Sequence, residues 1–290
     1  MKKSILVIAI LLVTITASAT LFVACSSVNQ VNMASMGWLD YENYTYNVYE
    51  TEGENKNLIG TMTYTYKRLD GEVEINGKTF TESNGAFVTM KLQIIDGAYQ
   101  GSTMESMVLF NSTFNPKASY KKYDCSDNSL SYTTFIDYST SGKKGSFTYT
   151  DGNGNVTEKE FKKSANYDND SLYTLIRASV FSTKNYGLSV MVSDKATCEK
   201  RSVSVGLIST EKKITADYEN AEFTCTQIGT VLSSTGSTGS LDVALRSNPH
   251  YLYFSNTPIK IGGKDIVKPL IEIQEGKYSY VLKSISIVEE

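Results

Sequence analysis

The sequence predicts a mainly β fold, in which a large curved antiparallel sheet, a half-barrel or an open barrel, is wrapped around one short helix. Three observations predict it. The 290 residues contain 20 Tyr beside 1 Trp, 1 His and 4 Pro, and aromatic side chains suit pleated, half-buried strands better than helices. Apolar and polar residues alternate along many segments. Only one segment beyond the N-terminus has the apolar spacing of a helix.

The first residues have the pattern of an export signal. Lys2 and Lys3 give a positive start, and residues 5–23 are apolar apart from Thr and Ser, as in a secretory signal peptide. Ala24 and Cys25 match the bacterial lipobox, in which a small residue precedes a Cys that is lipidated and becomes the mature N-terminus. Phe22 departs from that motif, which prefers Leu there. We predict a lipoprotein signal peptide over residues 1–24 and a polar tether over residues 25–37, beginning at lipidated Cys25.

An uncleaved membrane anchor is the alternative, because about 20 apolar residues are enough to span a bilayer. The flank Ser26–Gln30 carries no positive stop-transfer cluster, which favours cleavage. Cleavage removes two lysines and no acid, so attachment depends on acyl chains such as palmitate and not on a polybasic patch. We therefore expect the membrane as a partner and a location on the outer face of the bacterial cell membrane, or on the outer membrane of a cell that has one.

Period-two alternation predicts strands along the body of the chain. Residues 44–48, 62–66 and 203–207 show it most clearly. Asn-Gly and Asp-Gly pairs predict tight hairpin turns, because these residues reach the positive φ that such turns require. The predicted turns are Asp70-Gly71, Asn76-Gly77, Asn84-Gly85, Asp96-Gly97, Ser141-Gly142 and Asp151-Gly152-Asn153-Gly154. Together they predict a long antiparallel meander.

The segment 170–179 breaks this pattern. Its apolar residues follow helical spacing from Leu172 to Ser179, and Asp170 or Ser171 is a candidate N-cap. An amphipathic helix needs an apolar surface to cover, so a sheet curved around it is the expected arrangement.

Residues 233–240 are a run of Ser, Thr and Gly that predicts a flexible loop, with a domain boundary as the alternative. The strand-like segments 251–254 and 278–282 beyond the run look like closing strands of the same sheet. We therefore predict a single antiparallel β domain over residues 38–290.

Three cysteines remain after Cys25, and an odd number cannot all pair within one chain. Cys198 and Cys225 lie in strand-like stretches and could bridge neighbouring strands if their Cα separation permits it. The alternative is that these two and Cys125 are buried, inert thiols.

The second half of the chain carries a distinctive order of elements. It consists of the helical segment 167–179, Tyr186-Gly187-Leu188, a strand over 201–205, the Glu-containing turn Thr210-Glu211-Lys212-Lys213 and the strand Glu222-Phe223-Thr224-Cys225. This order resembles the core of the domain of unknown function 3108 family, over most of residues 38–285. The resemblance implies an exported bacterial protein whose curved antiparallel sheet encloses a helix, similar to the half-barrels of lipoprotein-carrier proteins. It implies no catalytic residues.

Catalytic and metal-binding motifs are absent from the sequence. His250 is the sole histidine and follows Asn248-Pro249 in a predicted exposed turn. A Ser-His-Asp or Cys-His unit would have to use it, yet no Gly-x-Ser-x-Gly elbow accompanies it. The cysteines lack zinc spacing, and no phosphate-binding glycine motif occurs. We predict no catalytic residue, no metal and no cofactor.

Oxygen-bearing side chains alternate in the run Asp151-Gly152-Asn153-Gly154-Asn155, as they do in a calcium-binding loop. Val156 and Lys162 stand where the EF-hand pattern requires Gly and Glu. We therefore predict a hairpin turn.

Three functions remain open. The favoured one is a non-enzymatic lipid-anchored binding or carrier protein that holds an apolar or glycan ligand in a groove of the sheet. Its tentative ligand-binding residues are Tyr64, Tyr66, Leu172, Leu175 and Arg177. Arg177 could bind an anionic ligand inside the curve, or it could reach solvent or pair with a nearby acid.

The second function is that of a structural envelope protein without a ligand, and the third is a carbohydrate-active hydrolase with two carboxyls about 5–9 Å apart. A nucleic-acid partner is disfavoured, since 28 Lys and Arg stand against 31 Asp and Glu.

Overall fold

The computed structural model describes residues 36–138, 144–162, 167–179, 186–232 and 250–289. The strands in these ranges are β1 (Tyr41–Glu52), β2 (Asn55–Ile75), β3 (Lys78–Ile94), β4 (Thr103–Phe110), β5 (Pro116–Asp124), β6 (Tyr132–Asp137), β7 (Lys144–Asp151), β8 (Val156–Lys162), β9 (Tyr167–Asp168), β10 (Tyr186–Val192), β11 (Glu199–Thr215), β12 (Glu222–Leu232), β13 (His250–Ser255), β14 (Ile259–Ile261), β15 (Lys264–Ile266), β16 (Leu270–Glu275) and β17 (Tyr278–Ser286). The helical elements in the same ranges are α1 (Leu172–Ala178) and one 3-10 turn (Asn128–Leu130).

Fifteen of these strands form one sheet, in the order β8-β7-β6-β5-β4-β3-β2-β1-β17-β16-β13-β12-β11-β10-β9, while β14 and β15 pair separately. Neighbouring strands of the large sheet are antiparallel except β9 and β10, which are parallel. Strand β1 joins the meander β2–β8 to β17 and the second half of the chain. The predicted fold class is confirmed: the protein is mainly β, with a curved antiparallel sheet around one short helix.

The two ends of the sheet approach each other. Ile136 and Phe147, from β6 and β7, form a buried cluster with Met191 of β10. Lys159 Nζ on β8 donates a hydrogen bond to the carbonyl of Thr197 at 2.9 Å. Strands β8 and β9 are the two ends of the sheet order and are not paired with each other. The sheet is therefore an open barrel whose seam is packed by side chains.

The predicted alternation sorts the side chains onto an inner face, toward α1, and an outer face. On β1, Tyr44 and Tyr46 are buried on the inner face, and on β2 so are Met62, Tyr64 and Tyr66. The strand register places Tyr44 opposite Tyr64 and Tyr46 opposite Met62, so the rings build a continuous layer. The strand predictions for these segments are confirmed.

Two of the predicted turns are wrong. Asn76-Gly77 does connect β2 to β3, with φ of 51° and 73°. Asp70-Gly71 and Asn84-Gly85, however, lie inside β2 and β3, at a bulge where the register shifts. A β-bulge, like a tight turn, uses residues with positive φ. The same dipeptides therefore occur in both, and the sequence alone does not distinguish them. At Gly85 an added Cβ would lie 2.6 Å from the carbonyl oxygen of Phe110.

The bulge lets the end of the β2–β3 hairpin fold over the outer face. Ile75 and Phe80 from the hairpin form a buried cluster with Leu109 of β4 and Ala118 of β5. An ion pair between Lys78 and Asp137 fastens the tip of the hairpin to β6. The sheet therefore has a second, smaller core on its outer side.

Helix α1 begins where predicted but is capped differently. Ser171 is the N-cap residue by position, yet its side chain makes no capping hydrogen bond to the helix. Its Oγ instead donates to the carbonyl of Asp168 and accepts from the N–H of Asp168.

Two further predictions need correction. Residues Thr210-Glu211-Lys212-Lys213 are not a turn but part of β11, where the register with β12 shifts. His250 does not lie in an exposed turn: it begins β13, and its side chain is 14% exposed. Charged residues at 210–213 and the Pro before His250 indicate turns. In the structure both segments pair with neighbouring strands and belong to the sheet.

The three cysteines in the described ranges are free, so Cys198 and Cys225 do not form a bridge. Burial raises the pKa of both thiols to about 12, and they are protonated at neutral pH. Cys25, Ser141-Gly142 and residues 233–240 lie outside the described residues. No helix within the described ranges is long and apolar enough to cross a membrane.

Candidate functional site

The five residues predicted to bind a ligand lie together where α1 meets the inner face. Tyr64, Tyr66, Leu175 and Arg177 are 5%, 1%, 9% and 2% exposed, and the partly buried Leu172 packs against the same core. They contribute to the packing between helix and sheet. Binding of a ligand by these residues stays a prediction.

The polar ends of the buried tyrosines are occupied within the fold. Tyr64 Oη and Thr174 Oγ1 are 2.8 Å apart, which joins β2 to α1. Tyr46 donates to the carbonyl of Leu270 at 3.0 Å. Burial raises the pKa of Tyr64 to about 12, so the hydroxyl stays neutral. Tyr64 therefore ties the helix to the sheet by a specific hydrogen bond as well as by apolar contact, and Tyr46 links β1 to β16.

Arg177 pairs with an acid inside the protein. Its Nη1 lies 2.6 Å from Glu42 Oε2, and both side chains are almost fully buried. The guanidinium also donates to the carbonyls of Val267 and Lys268, at 2.7 and 3.1 Å. It stacks 4.2 Å from the centroid of the Trp38 ring. Pairing with a nearby acid, one of the predicted alternatives, is confirmed, and projection into solvent is wrong.

A second group of charges, the buried charge cluster of Lys121, Asp168 and Asp170, lies between β5 and the segment that enters α1. Lys121 Nζ is 2.9 Å from Asp170 Oδ2, and both side chains are 0% exposed. Burial, reinforced by the charge of Asp170, raises the pKa of Asp168. The sequence carried a signal for Lys121: the alternation on β5 places it on the inner face between Ser119 and Tyr123, a position that normally holds an uncharged side chain.

An opening lies on the other side of the sheet. This outer groove has a volume of about 510 Å³ and crosses strands β2 to β5. Its lining residues are Thr61, Thr63, Lys91, Leu92, Gln93, Thr103, Met104, Glu105, Lys122 and Asp124. Eight of these ten side chains are polar or charged.

The strand register arranges the polar side chains of the outer groove in two rows. One row runs Thr63, Lys91, Glu105, Lys122, and the other runs Thr61, Gln93, Thr103, Asp124. Lys91 pairs with Glu105 at 2.9 Å and Lys122 with Asp124 at 2.7 Å. The charges therefore balance across the groove.

The outer groove could not be predicted from the sequence, because its residues occupy positions of ordinary alternating strands. Nothing local distinguishes them from a solvated face. Only the pairing of four strands, which depends on residues far apart in the chain, brings the two rows side by side. The half-buried Tyr120 lies on the same face of β5, where it packs against the outer apolar cluster under the hairpin.

His250 makes contacts of a structural kind. Its Nδ1 lies 3.4 Å from Glu275 Oε1, and the same oxygen accepts a hydrogen bond from Tyr173 of α1. These contacts join β13, β16 and the helix. In the described part of the chain, no group of three or more His, Cys, Asp or Glu side chains is placed to hold a metal ion.

No family model and no curated protein matches the chain, so the resemblance to the domain of unknown function 3108 family stays a hypothesis. Solved structures of similar fold include a beta-barrel-like protein of domain of unknown function DUF1849 from Brucella abortus, with 9% identity, a TM-score of 0.49, and coverage of 87% of this chain and 99% of that one.

Two further solved structures have lower scores. A candidate lipoprotein from Parabacteroides distasonis has 10% identity, a TM-score of 0.34, and coverage of 89% of this chain and 100% of that one. An exported protein with a YMCC-like fold from Bacteroides fragilis has 11% identity, a TM-score of 0.28, and coverage of 84% and 95%. At these identities and scores the similarity says nothing about function.

Proposed function

We propose that the protein is a non-enzymatic, lipid-anchored protein of the bacterial cell envelope that binds a hydroxyl-rich glycan in the outer groove. The observation that carries the proposal is the two rows of hydrogen-bonding side chains along an opening of about 510 Å³. That volume falls within the range of roughly 300–1,000 Å³ that is usual for small-molecule sites.

The chemistry of the outer groove favours an uncharged, hydroxyl-rich ligand. Hydroxyl, amide, ammonium and carboxylate groups can donate to and accept from sugar hydroxyls. Because each lysine is paired with a carboxylate, the groove has no excess charge with which to attract a phosphate or a nucleic acid.

An apolar ligand is less well supported than a glycan. The inner face, where such a ligand would lie, is packed against α1 at Tyr64, Tyr66 and Leu175. The same packing favours the second candidate function, a structural envelope protein without a ligand. A hydrolase has less support, since Glu105 and Asp124 are each paired with a lysine on an open surface, and glycosidases place an acid and a base on either side of the scissile bond.

Binding to saccharides tests the glycan proposal. We expect the detergent-solubilised full chain to bind N-acetylglucosamine tetramer or to sediment with purified peptidoglycan. Lys122→Ala and Gln93→Ala should each weaken saccharide binding about tenfold, which is the loss of one good hydrogen bond, ~1.4 kcal/mol.

Lys213→Ala is the matched control, because it removes an exposed, ion-paired lysine from β11, far from the groove. It should leave saccharide binding unchanged. If the protein binds neither saccharide, the glycan proposal is refuted and the structural role remains.

Lipidation is tested by Cys25→Ala. The change removes the thiol that would carry the acyl chains, so the variant should lose its partition into detergent or accumulate as unprocessed precursor. Phase separation and the mass of the N-terminal peptide measure both outcomes. Normal processing together with unchanged partition would show that Cys25 is not lipidated.

A further inference from the structure

Lys121 and Asp170 meet in a space closed to water. Lys121 lies in the middle of β5, and Asp170 lies two residues before α1. The distance from Lys121 Nζ to Asp170 Oδ2 is 2.9 Å, and neither side chain has any exposed surface. The amine of strand β5 thus lies in direct contact with a carboxylate of the turn that precedes α1.

A third ionisable group shares this space. Asp168 is also fully buried. Its Oδ1 accepts from the N–H groups of Asp170 and Ser171, each at 3.0 Å, and its Oδ2 accepts from Tyr138 at 3.2 Å. These contacts fix the orientation of the Asp168 carboxyl, which interacts electrostatically with both Asp170 and Lys121.

The buried charge cluster is costly as long as its members are ions. Withdrawing an ammonium and a carboxylate from water carries a desolvation penalty that can exceed the attraction between them, and the second carboxyl adds repulsion. Burial raises the pKa of Asp168, so this carboxyl is suited to take up a proton. Joining the amine to Asp170 would remove two buried charges at once.

We propose that Lys121 and Asp170 form an isopeptide bond, with Asp168 as the group that transfers the proton. Lys121 passes a proton to the Asp168 carboxylate, and the neutral Nζ attacks Cγ of Asp170. The Nζ–Cγ bond forms, one Cγ–Oδ bond breaks, and the oxygen leaves as water after receiving protons from Asp168 and from the attacking nitrogen. An ammonium and a carboxylate become one neutral amide and one water molecule, and Asp168 ends as it began.

The bond would tie the helix to the sheet. It joins β5 to the segment entering α1 and closes a loop over residues 122–169, which restricts the unfolded chain as a disulfide does. The described cysteines are free, so no disulfide within these ranges supplies such a constraint. A covalent bond that needs no oxidant suits an exported protein of this kind.

Peptide mass spectrometry of the purified full chain tests the proposal. After complete denaturation and tryptic digestion, we expect most molecules to yield a branched peptide joining Lys121 to Asp170, lighter than its two separate parts by one water molecule. Trypsin should also fail to cleave after Lys121, since an amide nitrogen carries no charge. Recovery of both residues chiefly in unmodified linear peptides would overturn the proposal, and this result needs no variant.

Variants then separate the roles. Lys121→Arg and Asp170→Ala should abolish the branched peptide, and Asp168→Ala should lower its yield at least tenfold. Lys213→Ala is the control, because this lysine of β11 is exposed and paired with Glu222; it should leave the yield unchanged. A branched peptide formed at full yield by the Asp168→Ala protein would overturn the role given to Asp168.

Discussion

Arg177→Met should lower the free energy of unfolding by about 3–5 kcal/mol, the cost of breaking a buried ion pair by removing one partner. Glu42 would be left as a buried carboxylate without its guanidinium. The carbonyls of Val267 and Lys268 would also lose their donors. Met retains much of the volume of the aliphatic stem, so the change tests charge and hydrogen bonding more than packing.

Trp38 provides the measurement. It is the sole tryptophan of the chain, and its ring lies against Arg177, so its fluorescence follows unfolding at this contact during a urea titration. Arg68→Met is the matched control, since the Arg68–Asp40 pair is at the surface and such pairs contribute about 0–1 kcal/mol. If the free energy of unfolding falls by the same small amount in both variants, the buried pair does not stabilise the fold.

Leu175→Asp should be still more destabilising, because an unpaired carboxylate would enter the apolar contact between α1 and the sheet. Burying a charge without a partner and losing an apolar side chain together exceed about 4 kcal/mol. We expect little folded protein, seen as a lost or strongly lowered thermal transition in circular dichroism. The same change at Val156, which is 59% exposed, should leave the melting temperature almost unaltered. A normal melting temperature for Leu175→Asp would mean that α1 is not part of the core.

Elements governed by local pattern were predictable from the sequence. Alternation identified the inner faces of β1 and β2, and helical spacing located α1 to within about two residues. Both depend on one period of apolar residues along a short stretch, which the amino-acid order displays directly.

Features that depend on distant residues were not predictable. The Asp70-Gly71 and Asn84-Gly85 pairs looked like turns because their preference for positive φ is local, whereas the bulge depends on how β2 meets β3. Glu42, the partner of Arg177, is far from it in the chain. The outer groove likewise exists only when four strands are in register.

The burial of Lys121 is predictable from local pattern, but its partner is not. Alternation alone puts it on the inner face of β5, so a buried lysine could have been inferred. The sequence around its partner Asp170 indicates only an N-cap, and the two residues meet only in the packed structure.

Native mass spectrometry of the detergent-released full chain tests most directly the central claim, that the inner face is filled by α1 and that ligands bind outside. We predict that any co-purifying adduct has the mass of a saccharide and disappears in Lys122→Ala but persists in Lys213→Ala. A lipid that is retained non-covalently by the Cys25→Ala chain, which lacks the proposed acyl anchor, would contradict the claim, because it would require an open site on the inner face.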